Sequence, residues 1–361
     1  MTASASTRDY RLTGPSAREA VARGLASAQW YQTPVPRKTL KALMQRQDRS
    51  AIRDTLLWWA LLLLFATLSM LAWGSWLAVP CFLVYGVLYS SASDSRWHEC
   101  SHGTAFRTSW MNDLVYRQAS FMILREPTVW RWSHARHHTD TIIVGLDPEI
   151  NAPRPTPVLR HLLGLLAIPA VLGTLQSLLR HSGGRLTEDE RAFIPEMEWP
   201  RVFQQARMYL ALQMAVLLLA VGLQSWLPVM LVGVLPTMYG AWLAYLFGLT
   251  QHAGLADNVL DHRKNSRTIR MNPVFRFIYW NMNYHTEHHM YPMVPYHALP
   301  ALHEQIKHDL PPVYPSTWAA LCELVPALWR QRQDPDYFVD RPLPAAAEPP
   351  TDADLRPAHS L

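Results

Sequence analysis

Two stretches of this chain contain no Asp, Glu, Lys or Arg: residues 55–93 and 208–256. A membrane crossing needs about 20 mainly apolar residues, so each stretch holds two helical spans. "TLLWWALLLLFATLSMLAW" and "LALQMAVLLLAVG" are apolar all round, with no polar stripe to face water. A pair of buried hairpins in a large soluble protein would also read as apolar. Helices without any polar face suit lipid better.

Each stretch has an uncharged break, "WGSW" at 73–76 and "QSWLP" at 224–228. The predicted spans are therefore 55–73, 75–92, 208–223 and 229–249. Basic residues gather at the ends away from the breaks: Arg37, Lys38, Lys41, Arg46, Arg49 and Arg53 before the first span. Arg201 and Arg207 precede the third, and Arg263, Lys264, Arg267 and Arg270 follow the fourth. The positive-inside rule puts these residues and both termini in the cytoplasm. The expected fold is an all-α integral membrane protein with four transmembrane helices in two hairpins and a cytoplasmic helical cap. Residues 1–50 read as a polar, basic cytoplasmic arm, 51–340 as the membrane domain, and 341–361 as a Pro/Ala-rich disordered tail. Residues 161–181 are too short and too flanked by polar groups to span comfortably. They read as a helix in the interface, with a re-entrant segment as the alternative.

The N-terminus lacks the apolar core of a cleaved signal peptide. A formal net charge of +5 suits a protein lying against an anionic leaflet. No basic run alternates with aromatics, so nucleic acid is not an expected partner. The three cysteines, Cys81, Cys100 and Cys322, show no paired spacing, which fits a reducing compartment.

His98-Glu99-Cys100-Ser101-His102 matches H-E-x-x-H, the zinc-peptidase pattern in which two histidines hold the metal and the glutamate activates water, so a membrane zinc peptidase is an alternative reading. Among the 16 histidines, however, two further clusters stand out: His134, His137 and His138 in "HARHH", and His285, His288 and His289 in "HTEHH". Spacings of three and four put each cluster on one helix face. Protonated imidazoles so placed repel, so the clusters need something that binds neutral nitrogens, and metal is the obvious candidate. A catalytic zinc takes about three protein ligands. Eight box histidines fit two metals better, and the peptidase reading leaves most of them idle. Imidazole suits iron, copper, zinc and nickel alike, so ligand type does not choose among them.

The order H-x3-H, H-x2-H-H, H-x2-H-H, interleaved with two hydrophobic hairpins, resembles the membrane fatty acid desaturase and hydroxylase superfamily. "HECSHG", "WRWSHARHHTDT" and "NMNYHTEHHMYPMVPYHALPALHE" resemble it locally, and the resemblance runs from about Trp58 to Leu310. It implies two non-haem irons, held by His98, His102, His134, His137, His138, His285, His288 and His289, that activate dioxygen with external electrons. It also implies a ninth ligand at the end of the last span, where His252 stands in "GLTQHAG". Some relatives carry an Asn one turn earlier that holds a water on the metal; here that position is Gly248, and Asn283 is a possible substitute.

His161, His181, His262, His297, His303, His308 and His359 lack box spacing and read as ordinary histidines. Glu99, Asp140, Asp147 and Glu287 are placed to accept from ligand N–H groups. "WRW" at 130–132 reads as interfacial anchoring, with an aromatic wall of the substrate opening as the alternative. The expected activity is desaturation of a fatty acyl chain at the cytoplasmic face of a bacterial inner membrane. Hydroxylation or oxygenation of a lipid, hydrocarbon or small catabolic substrate is the alternative. Three scattered cysteines cannot hold an iron–sulfur cluster. A separate ferredoxin-, rubredoxin- or Rieske-type donor with its reductase is therefore the expected partner.

Overall fold

The computed structural model describes residues 8–150 and 152–344. Among these the regular structure is helical, and extended pairing is limited to three isolated bridges. Two helical segments are long and apolar enough to cross a membrane, Arg37–Leu71 and Glu196–Gly222. Within the first, the helix Asp48–Leu71 has 24 residues. At a rise of about 1.5 Å per residue it exceeds the roughly 30 Å hydrocarbon core. Its Leu63 and Leu71 are exposed, as are Leu218 and Val221 on the helix Trp199–Gly222. Such faces suit contact with lipid.

The second and fourth expected spans are helical but built differently. The helix expected over 75–92 continues to Ser101 through a wider, π-helical turn at Val87–Ser91. It therefore delivers the first histidine box on its own last turns. The stretch 229–249 is broken into Leu227–Leu231, Val234–Gly240 and Trp242–His252. Broken helices leave backbone groups that must find partners where water is absent. Here the 78–101 helix supplies them. Tyr85 donates to the Leu231 carbonyl (2.7 Å), and the Tyr89 hydroxyl accepts from the Gly233 amide (3.0 Å). Ser91 Oγ donates to the Gly240 carbonyl (2.6 Å) and accepts from the Ala244 amide (2.9 Å). The helices cross where Gly86 meets Gly240, so closely that a Cβ on Gly240 would overlap the Gly86 backbone.

The segment expected to lie as one helix in the interface forms two, Val158–Leu165 and Ile168–Ser182, bent by 78°. Ala167, at φ 52°, makes the bend, and Pro169 starts the second helix. By length and composition this pair is a third candidate crossing, either broken or re-entrant.

Residues 8–50 do not stand apart as an arm. Ser27 donates its amide to Asp140 (2.9 Å), Tyr31 to the Leu260 carbonyl (2.9 Å), and the Gln32 side chain to the Met290 carbonyl (2.8 Å). They strap across the box-bearing segments. The tail expected to be disordered falls, over 345–361, outside the described residues.

Candidate metal centre

Four helices converge at the ends of the apolar bundle. The 78–101 helix carries His98, and His102 follows as its C-cap. Helix Pro127–Thr139 carries His134, His137 and His138. It starts sharply because Pro127 sits in its first turn and Glu126 accepts the Thr128 and Val129 amides. Helix Trp242–His252 ends on His252, and helix His285–Met290 carries His285, His288 and His289.

Buried Arg96 ties the first of these to the helix Pro273–Tyr279, which precedes the third box. Its guanidinium donates to the carbonyls of Ala92 (2.9 Å), Ile278 (3.2 Å) and Phe277 (3.3 Å). It also lies over the rings of Trp58, Trp280 and Phe277. Burial lowers its pKa to about 9.

All nine expected histidines meet, and they divide into two groups. His98, His102, His134, His138 and His288 form one; His137, His252, His285 and His289 form the other. Within each group the candidate ligand atoms lie within 4.8 Å of one another. The groups abut, with His138 stacked on His289 at 4.4 Å between ring centroids. Nε2 atoms point inward: His98 to His288 is 2.7 Å, His102 to His134 3.1 Å, and His252 to His285 2.8 Å.

The outer nitrogens explain why. His137 Nδ1 donates to Asp147 (2.8 Å), His134 Nδ1 to Glu149 (3.1 Å), and His252 Nδ1 to the Asn265 carbonyl (2.8 Å). An imidazole that donates from Nδ1 presents a bare lone pair at Nε2, which is the form a metal binds. Burial first, and neighbouring imidazoles second, hold His98, His102 and His138 well below the usual histidine pKa. Burial likewise depresses His252, His285, His288 and His289. For His137 burial opposes the charge, but Asp147 outweighs it and raises the pKa. Imidazole nitrogens crowded at their inner Nε2 atoms, with carboxylates only at two outer Nδ1 positions, are a donor set for cations. The residues present fit two metal ions.

A family model for fatty acid desaturases matches residues 74–320, more than half of the chain and all nine histidines. The chain belongs to the fatty acid desaturase family. No curated protein matches it. Membership makes this desaturase-family chain a membrane oxidoreductase, and the family's two-iron chemistry agrees with two groups of histidines.

Several sequence expectations about supporting residues change. Asp147 does hold a histidine of the second group, His137. Glu99 does not: Oε1 accepts from Thr104 (2.7 Å) and the Tyr296 amide (3.0 Å), and Glu99 belongs to neither histidine group. Asp140 pairs with Arg136 (2.8 Å), and Glu287 accepts from His303 (2.5 Å) and Thr268 (2.6 Å). Asn283 bonds the Ile269 carbonyl (2.7 Å) and is not in either group. Trp130 lines a cavity beside the histidines, the position that the aromatic-wall alternative requires.

Glu149 and Thr141 were missed; Thr141 Oγ lies 3.2 Å from His289 Nδ1. His262, set aside for lack of spacing, stacks on Trp30 and lies tilted beside the His289 ring. His161 meets the Tyr245 hydroxyl (2.8 Å) and His181 meets Glu190 (3.0 Å), ordinary roles as expected. His359 lies outside the described residues.

Proposed function

We propose that this desaturase-family chain binds two irons and desaturates a fatty acyl chain at the cytoplasmic face of a bacterial inner membrane. One observation carries the reading: nine imidazoles, six buried and three half-buried, in two adjoining groups beside a large cavity. The cavity holds about 680 Å³, within the roughly 300–1,000 Å³ usual for ligand sites. His98, His134, His137, His252 and His285 form part of its wall. Gly248 lines it too, and a Cβ there would meet nothing within 4 Å, so the position where some relatives carry Asn is open space.

Bound iron would supply dioxygen activation and removal of hydrogen from an unactivated carbon. In the balance, dioxygen takes two hydrogen atoms (two protons with two electrons) from the substrate, two electrons from the donor and two protons from solvent, leaving two waters. The chain's part is placement. Asp147 and Glu149 fix two imidazole orientations, and the cavity wall sets which carbon lies against the histidines. The donor is a separate iron–sulfur or rubredoxin-type protein with its reductase. Four crossings, with both termini inside, follow from the basic residues that flank the apolar runs.

A second reading is favoured by one feature of the wall. Asp94, one turn before His98, pairs with Arg125 (2.8 Å), and both line the cavity. A methylene chain gains nothing from an ion pair so near the reacting carbon. A smaller, polar substrate, hydroxylated and not desaturated, would gain hydrogen bonds there.

Mass spectrometry of products from a host expressing the chain tests both readings. A new double bond in acyl chains supports the first, a new hydroxyl on a compact polar molecule the second. One zinc per chain and no oxygen use would sink both. For the topology, an impermeant thiol reagent on intact cells should not reach a cysteine placed at Lys264.

A further inference from the structure

His262 is 2% exposed and belongs to no box. One face of its ring stacks on Trp30, with centroids 4.2 Å apart and planes 4° from parallel. It also approaches the His289 ring, 5.0 Å away. Trp30 is half-buried, between exposed Gln29 and Tyr31, and its indole N–H is fixed on the Thr139 carbonyl (2.9 Å). The three rings thus run in series, one pair stacked and the next tilted, from the protein surface to a histidine of the second group.

Trp30, His262 and His289 do not line the substrate cavity, which meets the histidines through other members of the set. Substrate access and this aromatic stack therefore use different sides of the centre. Among the described residues His262 Nδ1 has no hydrogen-bond partner, and burying an imidazole nitrogen in that state is a cost that packing alone does not call for. Electron tunnelling falls off steeply with each gap crossed through space, and stacked π systems shorten those gaps.

We propose that Trp30 and His262 are the route by which electrons from a one-electron iron–sulfur protein reach the centre through His289. Two single electrons pass per turnover, each oxidising one donor molecule. Neither ring is itself changed. The inference rests on the two-iron reading given above.

The test injects electrons without needing the natural donor. Cys81 and Cys322 are replaced by serine, leaving buried Cys100. Gln29→Cys then carries a ruthenium tris-bipyridine label beside Trp30. A second preparation, Cys81→Ser alone, carries the label at exposed Cys322. Iron-loaded, oxidised full-length protein is flashed with ascorbate as quencher, and loss of ferric absorbance is timed. Trp30→Leu and His262→Leu should each slow reduction from position 29 tenfold or more. Reduction from Cys322 and the iron content should stay at the parent level, and Trp30→Phe should keep most of the rate. An unchanged rate from position 29, or equal slowing from both labels, overturns the proposal. Failure of the two-iron reading looks different: no ferric absorbance before any flash.

Discussion

Asp147 shows how a single side chain orients one histidine of the candidate centre. It takes the Nδ1 proton of His137 and also the Ile142 amide (2.7 Å), so the carboxylate is anchored before it orients the ring. Groups in this relation to a ligand typically change metal affinity or activity by about 10–100-fold when altered. Asp147→Asn should lower bound iron in that range, measured by metal analysis of purified protein. Asp140→Asn, seven residues earlier and tied to Ser27 and Arg136 instead, should not. His252→Ala should lose iron outright, whereas His262→Leu should keep it, because His262 lies beside the His289 ring without belonging to either group. Equal iron loss in these two would remove the distinction. The histidines were legible in the sequence because ligands on one helix face recur at three and four residues. Their partners were not. Glu149 reaches His134 across a turn, and the Asn265 carbonyl reaches His252 from another segment, so no spacing encodes either contact.

At the scale of elements, the apolar runs announced helices but not their interruptions. The stretch 229–249 looks continuous because Val, Leu and Tyr suit either state; the breaks depend on hydroxyls a hundred and more residues earlier. Ser91 is the clearest case, holding the carbonyl and amide on either side of the Gly240 break. Ser91→Ala leaves both backbone groups without that partner, at about 1–3 kcal/mol each. The expected result is a lower thermal midpoint in detergent, with Ser90→Ala as the quiet neighbour. A midpoint equal to the parent's would mean that other groups satisfy this break. Gly240→Ala should be worse, since its Cβ meets the Gly86 backbone and no flexible side chain can give way. The wider turn at Val87–Ser91 is held from the other side, where Trp58 donates to the Leu88 carbonyl (2.8 Å). Nothing in the local sequence marks that turn.

Over the whole molecule, the centre joins four chain segments whose apolar packing continues away from it, and its contribution depends on pH. Seven of the nine histidines, His98, His102, His138, His252, His285, His288 and His289, have folded pKa values well below the usual 6.5. They are neutral in the fold, and their unfolded counterparts take protons as pH falls through about 6.5. The unfolded state then binds more protons, so stability rises with pH through this window and is lost below it. His137 works the other way, because Asp147 raises its pKa despite burial. Glu99 and Glu126 also oppose the trend: burial pushes both up to about 7, so the fold takes their protons first as pH falls. Seven groups outweigh three. Bound metal sharpens the dependence, since it competes with protons for the same nitrogens and stabilises only the folded arrangement. The iron-loaded protein should therefore show a thermal midpoint that is flat above about pH 7 and falls steeply below about 6. Iron should be released over the same interval. Chelation at pH 7.5 should lower the midpoint without abolishing the helical signal, because the apolar bundle remains. A midpoint that rises as pH drops from 7 to 5 would show that the buried carboxyls, and not the imidazoles, govern the acid response.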